Sequence, residues 1–153
     1  MDLKSNAYKN LQNAYTLFRK DLDALPGDVF DKKFGDKTRT VADIVYEVTL
    51  LNDHVEMGMC GKEAPAWPED GWMKAPEDFR TKEAILKAFD KSSEHILATI
   101  EGFSPEEVEE LVPTNYGDRT RFSRCQFMTL HLWYHSGQLN YIQTLLGDDG
   151  WHW

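Results

Sequence analysis

Along this chain apolar residues recur every three or four positions, the period of a helix with one buried face. Four segments carry that period. The first runs from about Asn6 to Leu25, with Ala7, Tyr8, Leu11, Ala14, Tyr15, Phe18, Leu22 and Leu25 on one stripe, and Pro26-Gly27 stops it. The second opens at Thr40, where Thr40 and Asp43 suit a capping box, and ends near Gly61. Its stripe is Val41, Ile44, Val45, Val48, Leu51, Val55 and Met59. The third spans about Thr81 to Phe103, with Ile85, Leu86, Phe89, Ile96, Leu97 and Ile100 inward. The fourth is expected from Ser123 to Leu146, with Phe127, Leu130, Tyr134, Tyr141 and Leu145 inward and Gly147 as its stop.

Between the third and fourth segments, Ser104-Pro105-Glu106-Glu107 has a cap, a first-turn proline and a reciprocal acid in order. A short extra helix over 104–111 follows, broken by Pro113. The stretch from Cys60 to Arg80 holds three prolines and two tryptophans. It reads as a loop folded over the core or over a site, because Trp67 and Trp72 are costly to leave in water. No strand pattern competes. The expected fold is all-α, a four-helix bundle forming one domain over residues 1–153.

Charge and composition narrow the function. Asp plus Glu number 26 against 17 Lys plus Arg, a formal net charge of -9. We expect no nucleic-acid partner and no anionic membrane, since both reward positive charge. No apolar run approaches the ~18 residues of a membrane span. The start of the chain lacks the apolar core of a secretory signal, and Cys60 and Cys125 stand in no C-x-x-C motif. Both features suit a cytoplasmic protein.

The chemistry concentrates in His131-Leu-Trp-Tyr-His135-Ser-Gly137-Gln138. Imidazoles four residues apart lie one above the other on a helix face. Two such nitrogens with a third protein ligand hold a divalent metal and leave a position open for water or substrate. On the second helix Glu47 and His54 share a shoulder, but lie seven residues and about 10 Å apart, so one metal takes one of them. Glu47 gives a two-His, one-carboxylate set suited to zinc or iron; His54 gives three histidines. Gln138 falls on the histidine shoulder and Tyr134 lies beside it, which makes them candidate substrate contacts. Arg121, with Arg119 and Arg124, could bind an acidic group. His95 and His152 read as structural or exposed.

The string His131-x-x-x-His135-x-Gly137-Gln138-Leu139, continuing to Tyr141 and Leu145-Leu146-Gly147, resembles the fourth-helix signature of the DinB-like family. Thr40-Val41-Ala42-Asp43-Ile44 is similar to the family's second-helix start. The resemblance implies a four-helix bundle holding a divalent metal, zinc or nickel, through one second-helix ligand and the fourth-helix pair. It also implies activity in some relatives with a low-molecular-weight thiol, and frequent dimers. Where the family has histidine, seven residues after the cap, this chain has Glu47. We therefore expect Glu47 as third ligand, with His54 as the alternative.

Two functions follow. One is a metal-dependent enzyme, a hydrolase or thiol transferase acting on a small-molecule substrate. The other is a non-catalytic homodimeric bundle that binds a small ligand or a protein partner, with a degenerate metal site. Met128, Leu132 and Trp133, off the expected stripe, would form its helix-to-helix contact.

Overall fold

The computed structural model describes residues 2–67 and 72–153; the middle of the Cys60–Arg80 loop lies outside the described residues. The chain is an all-α four-helix bundle. Its long helices are α1 (Leu3–Ala24), α2 (Val41–Met59), α3 (Lys82–Gly102) and α5 (Arg121–Leu145), with the short α4 (Pro105–Glu109) between the last two. Among the described residues, no helix is long and apolar enough to cross a membrane.

Side chains that satisfy free N–H groups set the helix starts. Asp2 accepts from Ser5 N, Thr81 from Ala84 N, and Thr40 and Ser104 form full capping boxes with Asp43 and Glu107. The fourth long helix starts earlier than the Ser123 box predicts: Thr120 is its N-cap and accepts from Ser123 N. The expected short helix is also shorter, because Leu111–Val112 (β1) leaves it to pair antiparallel with Arg119–Thr120 (β2). Period-based reading does not register a ladder of two residues per strand.

α1 packs chiefly on α5 and α3, and α2 on α3 and α5. Consecutive helices α1 and α2 therefore sit diagonally across the bundle, and α2 lies beside α5. That adjacency lets a second-helix side chain reach the histidines.

The predicted stripes of α1, α2 and α3 enter one continuous apolar core, with only Tyr8, Leu51, Leu86 and Leu97 at its edge. The α5 stripe does not. Phe127, Leu130, Tyr134, Tyr141 and Leu145 are all exposed, by 43–68 %. The buried face is the heptad Cys125, Met128, Leu132, His135, Leu139 and Ile142. Two apolar stripes compete on this helix: the one with Met128, Leu132, Leu139 and Ile142 is buried, and the one richer in aromatics faces outward. The expected dimer contact falls with it. Met128 and Leu132 are core residues, and Trp133 packs on Trp153, with ring centroids 5.3 Å apart.

Buried polar groups tie the helices in register. Tyr15 Oη donates to Asn52 Oδ1 at 2.6 Å, and Asn52 Nδ2 donates to Ser92 Oγ at 3.0 Å, linking α1, α2 and α3. On the other side of α1, Asp21 accepts from Ser136 Oγ, from Asn140 Nδ2 at 3.1 Å and from Trp153 Nε1 at 2.7 Å. The C-terminal tail is thereby ordered against α1 and α5, while Trp151 stays 82 % exposed.

Burial pushes the Asp21 carboxyl above its ordinary range, against the bonds from Ser136, Trp153 and Asn140. A carboxyl raised by folding stabilises the fold only while it keeps its proton. That stability is present below the ordinary pKa and is lost as pH rises through the raised one. Asp21→Asn, which cannot ionise, should gain stability on the wild type as pH rises from about 4 toward neutrality. Urea denaturation of both proteins across that range checks this, and a difference that stays constant contradicts it.

Candidate metal centre

Three side chains converge where α2 and α5 face each other. His131 Nε2 lies 3.2 Å from Glu47 Oε1, His135 Nε2 lies 3.1 Å from His131 Nε2, and His135 Nε2 lies 3.4 Å from Glu47 Oε1. Among the described residues this is the group of metal-ligating side chains with donor atoms all close to one another. The His131 and Glu47 side chains are each 14 % exposed and His135 is fully buried. Nitrogen and oxygen ligands about 2.0–2.1 Å from a tetrahedral zinc stand roughly 3.3 Å from each other, so the observed triangle has the right edge for one ion.

The hydrogen count points the same way. Gln138 Oε1 lies 2.7 Å from His135 Nδ1. An amide oxygen only accepts, so Nδ1 carries the ring hydrogen and Nε2 presents a lone pair to the centre. Burial pushes the Glu47 carboxyl up, but the close imidazoles of His131 and His135 and the charge of Arg39 outweigh it and hold the acid well below its usual range. Burial also lowers His131, with the bond to Glu47 opposing and the nearby charge of Arg39 adding to it. A neutral His131 brings one hydrogen, so the three inward-facing atoms, His131 Nε2, His135 Nε2 and Glu47 Oε1, share at most one between them. His131 Nδ1 is itself buried with no hydrogen-bond partner. Lone pairs exceed hydrogens here, and a cation fits that surplus.

Arg39 completes the surroundings. Its Nη2 donates to Glu47 Oε2 at 2.7 Å and to the Asp43 carbonyl at 2.9 Å, leaving Glu47 Oε1 turned toward the histidines. Sequence reasoning missed Arg39 because it precedes the α2 cap and belongs to no helical face.

Gln138→Ala removes the acceptor that sets the His135 tautomer. It should weaken zinc affinity about 10–100-fold while leaving the fold intact. Competition titration against a chromophoric chelator measures this; an unchanged affinity contradicts the role.

The other candidates lie elsewhere. His54 faces Trp67, with ring centroids 5.7 Å apart, and does not join the triangle. Arg121 is engaged in structure: its Nε donates to the Met59 carbonyl at 2.8 Å, and its Nη1 to the Glu107 carbonyl and the Glu110 carboxylate, both at 2.7 Å. Tyr134 sits beside His135, 4.9 Å between ring centroids, and with Gln138 lines a cavity of about 660 Å³. His95 is exposed and His152 pairs with Asp148. Both cysteines are free thiols, and burial pushes Cys125 up to about 12, so it is no nucleophile near neutral pH.

The DinB superfamily model matches residues 10–139, from the middle of α1 to beyond the histidine pair. The chain belongs to the DinB superfamily. No curated protein matches the sequence. Among solved structures, a conserved protein from Enterococcus faecalis aligns with a TM-score of 0.73 at 14 % identity, covering 97 % of this chain and 99 % of that one. The colibactin self-resistance protein ClbS, in complex with a dsDNA, gives 0.70 at 23 % identity, covering 92 % and 94 %. A variant of the mycothiol-dependent maleylpyruvate isomerase gives 0.64 at 13 % identity, covering 89 % of this chain and 60 % of that one.

The ClbS complex corrects one expectation. An acidic net charge led us to exclude a nucleic-acid partner, yet a protein of this fold is crystallised on double-stranded DNA. Net charge sums over the whole surface, whereas a duplex reads only the patch it touches.

Proposed function

We propose that this protein is a metal-dependent enzyme of hydrolase or low-molecular-weight-thiol transferase type, acting on a small molecule. Glu47, His131 and His135 would hold a divalent ion, zinc or nickel with iron as a third candidate for this ligand set. One observation carries the reading: donor atoms from two different helices lie 3.1–3.4 Å apart, with one imidazole fixed in its metal-binding tautomer. An ion bound there supplies acidity to a coordinated water or thiol near neutral pH. The chain's own groups do the rest. Gln138 orients His135, Arg39 orients Glu47, and the low exposure of all three donors limits access to the centre. The mycothiol-dependent neighbour supports the thiol branch. Free cysteines support a reducing, cytoplasmic setting.

The test is a turnover screen of zinc- and nickel-loaded protein on activated esters, amides and alkylating electrophiles, with and without added low-molecular-weight thiols. The reading predicts turnover that disappears in His131→Ala and on chelation. Turnover that survives both overturns it. ClbS on dsDNA supplies a second candidate partner. A gel shift with duplex DNA across a salt series decides whether this chain shares it, since phosphate contacts weaken steeply with salt.

A further inference from the structure

We propose that the cavity beside the three donors binds an organic anion with a flat apolar body, its acid group held by Arg39 and Lys37. This names the substrate class for the site proposed above and takes its catalytic meaning from that reading; the binding itself needs no metal.

Charge is the first support. The cavity, about 660 Å³, has the size of a small-molecule site. Its charged lining residues are Lys37 and Arg39, both cations, in a chain whose net charge is -9. A neutral or cationic ligand would gain nothing from that selection. The neighbouring cavity of about 700 Å³ against Trp67 is lined by Asp53 as well as Lys74 and makes no such choice.

Arg39 is also incompletely satisfied. The side chain is 9 % exposed, and Nη2 is spent on Glu47 and the Asp43 carbonyl. Its Nε and Nη1 are buried with no acceptor. A guanidinium is always charged, and leaving its N–H groups without acceptors indoors is costly. The Trp72 ring, 60 % exposed, lies over this guanidinium with 4.8 Å to its centroid. A carboxylate, sulfonate or phosphate at Nε and Nη1 would supply the missing acceptors, and Trp72 and Tyr141 offer flat faces to the rest of the molecule.

Gly137 gives the third support. It lies in the interior of α5 and lines the cavity, where glycine weakens a helix. A Cβ built there meets no atom within 4 Å, so packing does not require the glycine. The space it leaves is open floor next to Gln138, the hydrogen-bond partner of His135. Arg39 touches Glu47 and Gln138 touches His135, so an anion held by Arg39 in this cavity lies against the residues that support the metal ligands.

The probe is 8-anilinonaphthalene-1-sulfonate, followed by fluorescence, beside its uncharged analogue N-phenyl-1-naphthylamine. Both are titrated into zinc-loaded and chelator-treated protein, with bound zinc measured in the same samples. The sulfonate should bind at least about tenfold more tightly than the neutral analogue in both preparations. Lys37→Glu and Gly137→Leu should each weaken it by about tenfold or more, and Trp67→Ala, in the other cavity, should not. Gly137→Leu favours the helix, so circular dichroism and a raised Tm will show that it folds. Equal binding of the two probes overturns the proposal, as does unweakened sulfonate binding to folded Gly137→Leu. Charge-selective binding without zinc uptake supports the anion cavity and removes the metal centre. Zinc uptake without charge selectivity does the reverse.

Discussion

Zinc-loaded His135→Ala protein, after gel filtration, retains less than about a tenth of the metal that the wild-type chain holds. Removing a residue that only orients a ligand costs about 10–100-fold in affinity, and removing the ligand itself costs more. His135 is the ligand most fully enclosed by protein, and the one whose tautomer is fixed. Its loss leaves a donor pair of one imidazole and one carboxylate, which cannot close three corners of a tetrahedron. His131→Ala should lose metal as well, and because His131 sits at the edge of the core it does so with little effect on stability. Elemental analysis of the three proteins, prepared side by side, checks the expectation. Metal retained at wild-type level in His135→Ala places the ion elsewhere.

Glu47→Ala should be the most damaging substitution to fold and site together. Glu47 serves two partners at once, Oε1 facing the histidines and Oε2 accepting from Arg39. Truncation strands a guanidinium whose side chain is 9 % exposed, and breaking a buried ion pair costs about 3–5 kcal/mol. Partial solvent access argues for the lower end, near ~3 kcal/mol, or a fall in Tm of roughly 6–12 °C for a chain of this size. The comparison is made on metal-free proteins, so that loss of zinc does not contribute. Arg39→Met combined with Glu47→Leu removes both charges and should recover most of the lost stability without recovering zinc. A double variant as unstable as Glu47→Ala would show that packing, not the stranded charge, sets the cost.

How much of this was legible in the sequence differs by helix. α1, α2 and α3 bury simple apolar stripes, and periodicity alone finds them. On α5 the buried face must present His135, Ser136 and Gln143 to the interior. Polar residues dilute that face, so hydrophobicity pointed to the exposed aromatics instead, and the histidines were read as shoulder positions. The i,i+4 pair and the Glu47 donor were legible because helix geometry fixes them locally. The choice between Glu47 and His54 depends on how α2 sits against α5, a tertiary quantity that no single helix encodes. Arg39 was illegible for a related reason. It sits in the diagonal connection from α1 to α2, and only the closed bundle brings it onto Glu47. The same holds for Trp153, whose indole finds Asp21 from the far end of the chain.

X-ray absorption at the zinc edge of the loaded wild-type protein tests the central claim most directly. The account predicts a first shell of nitrogen and oxygen at about 2.0–2.1 Å, with the outer-shell pattern of two imidazoles, and no sulfur. A sulfur shell near ~2.3 Å, or fewer than two imidazoles per ion, would contradict it.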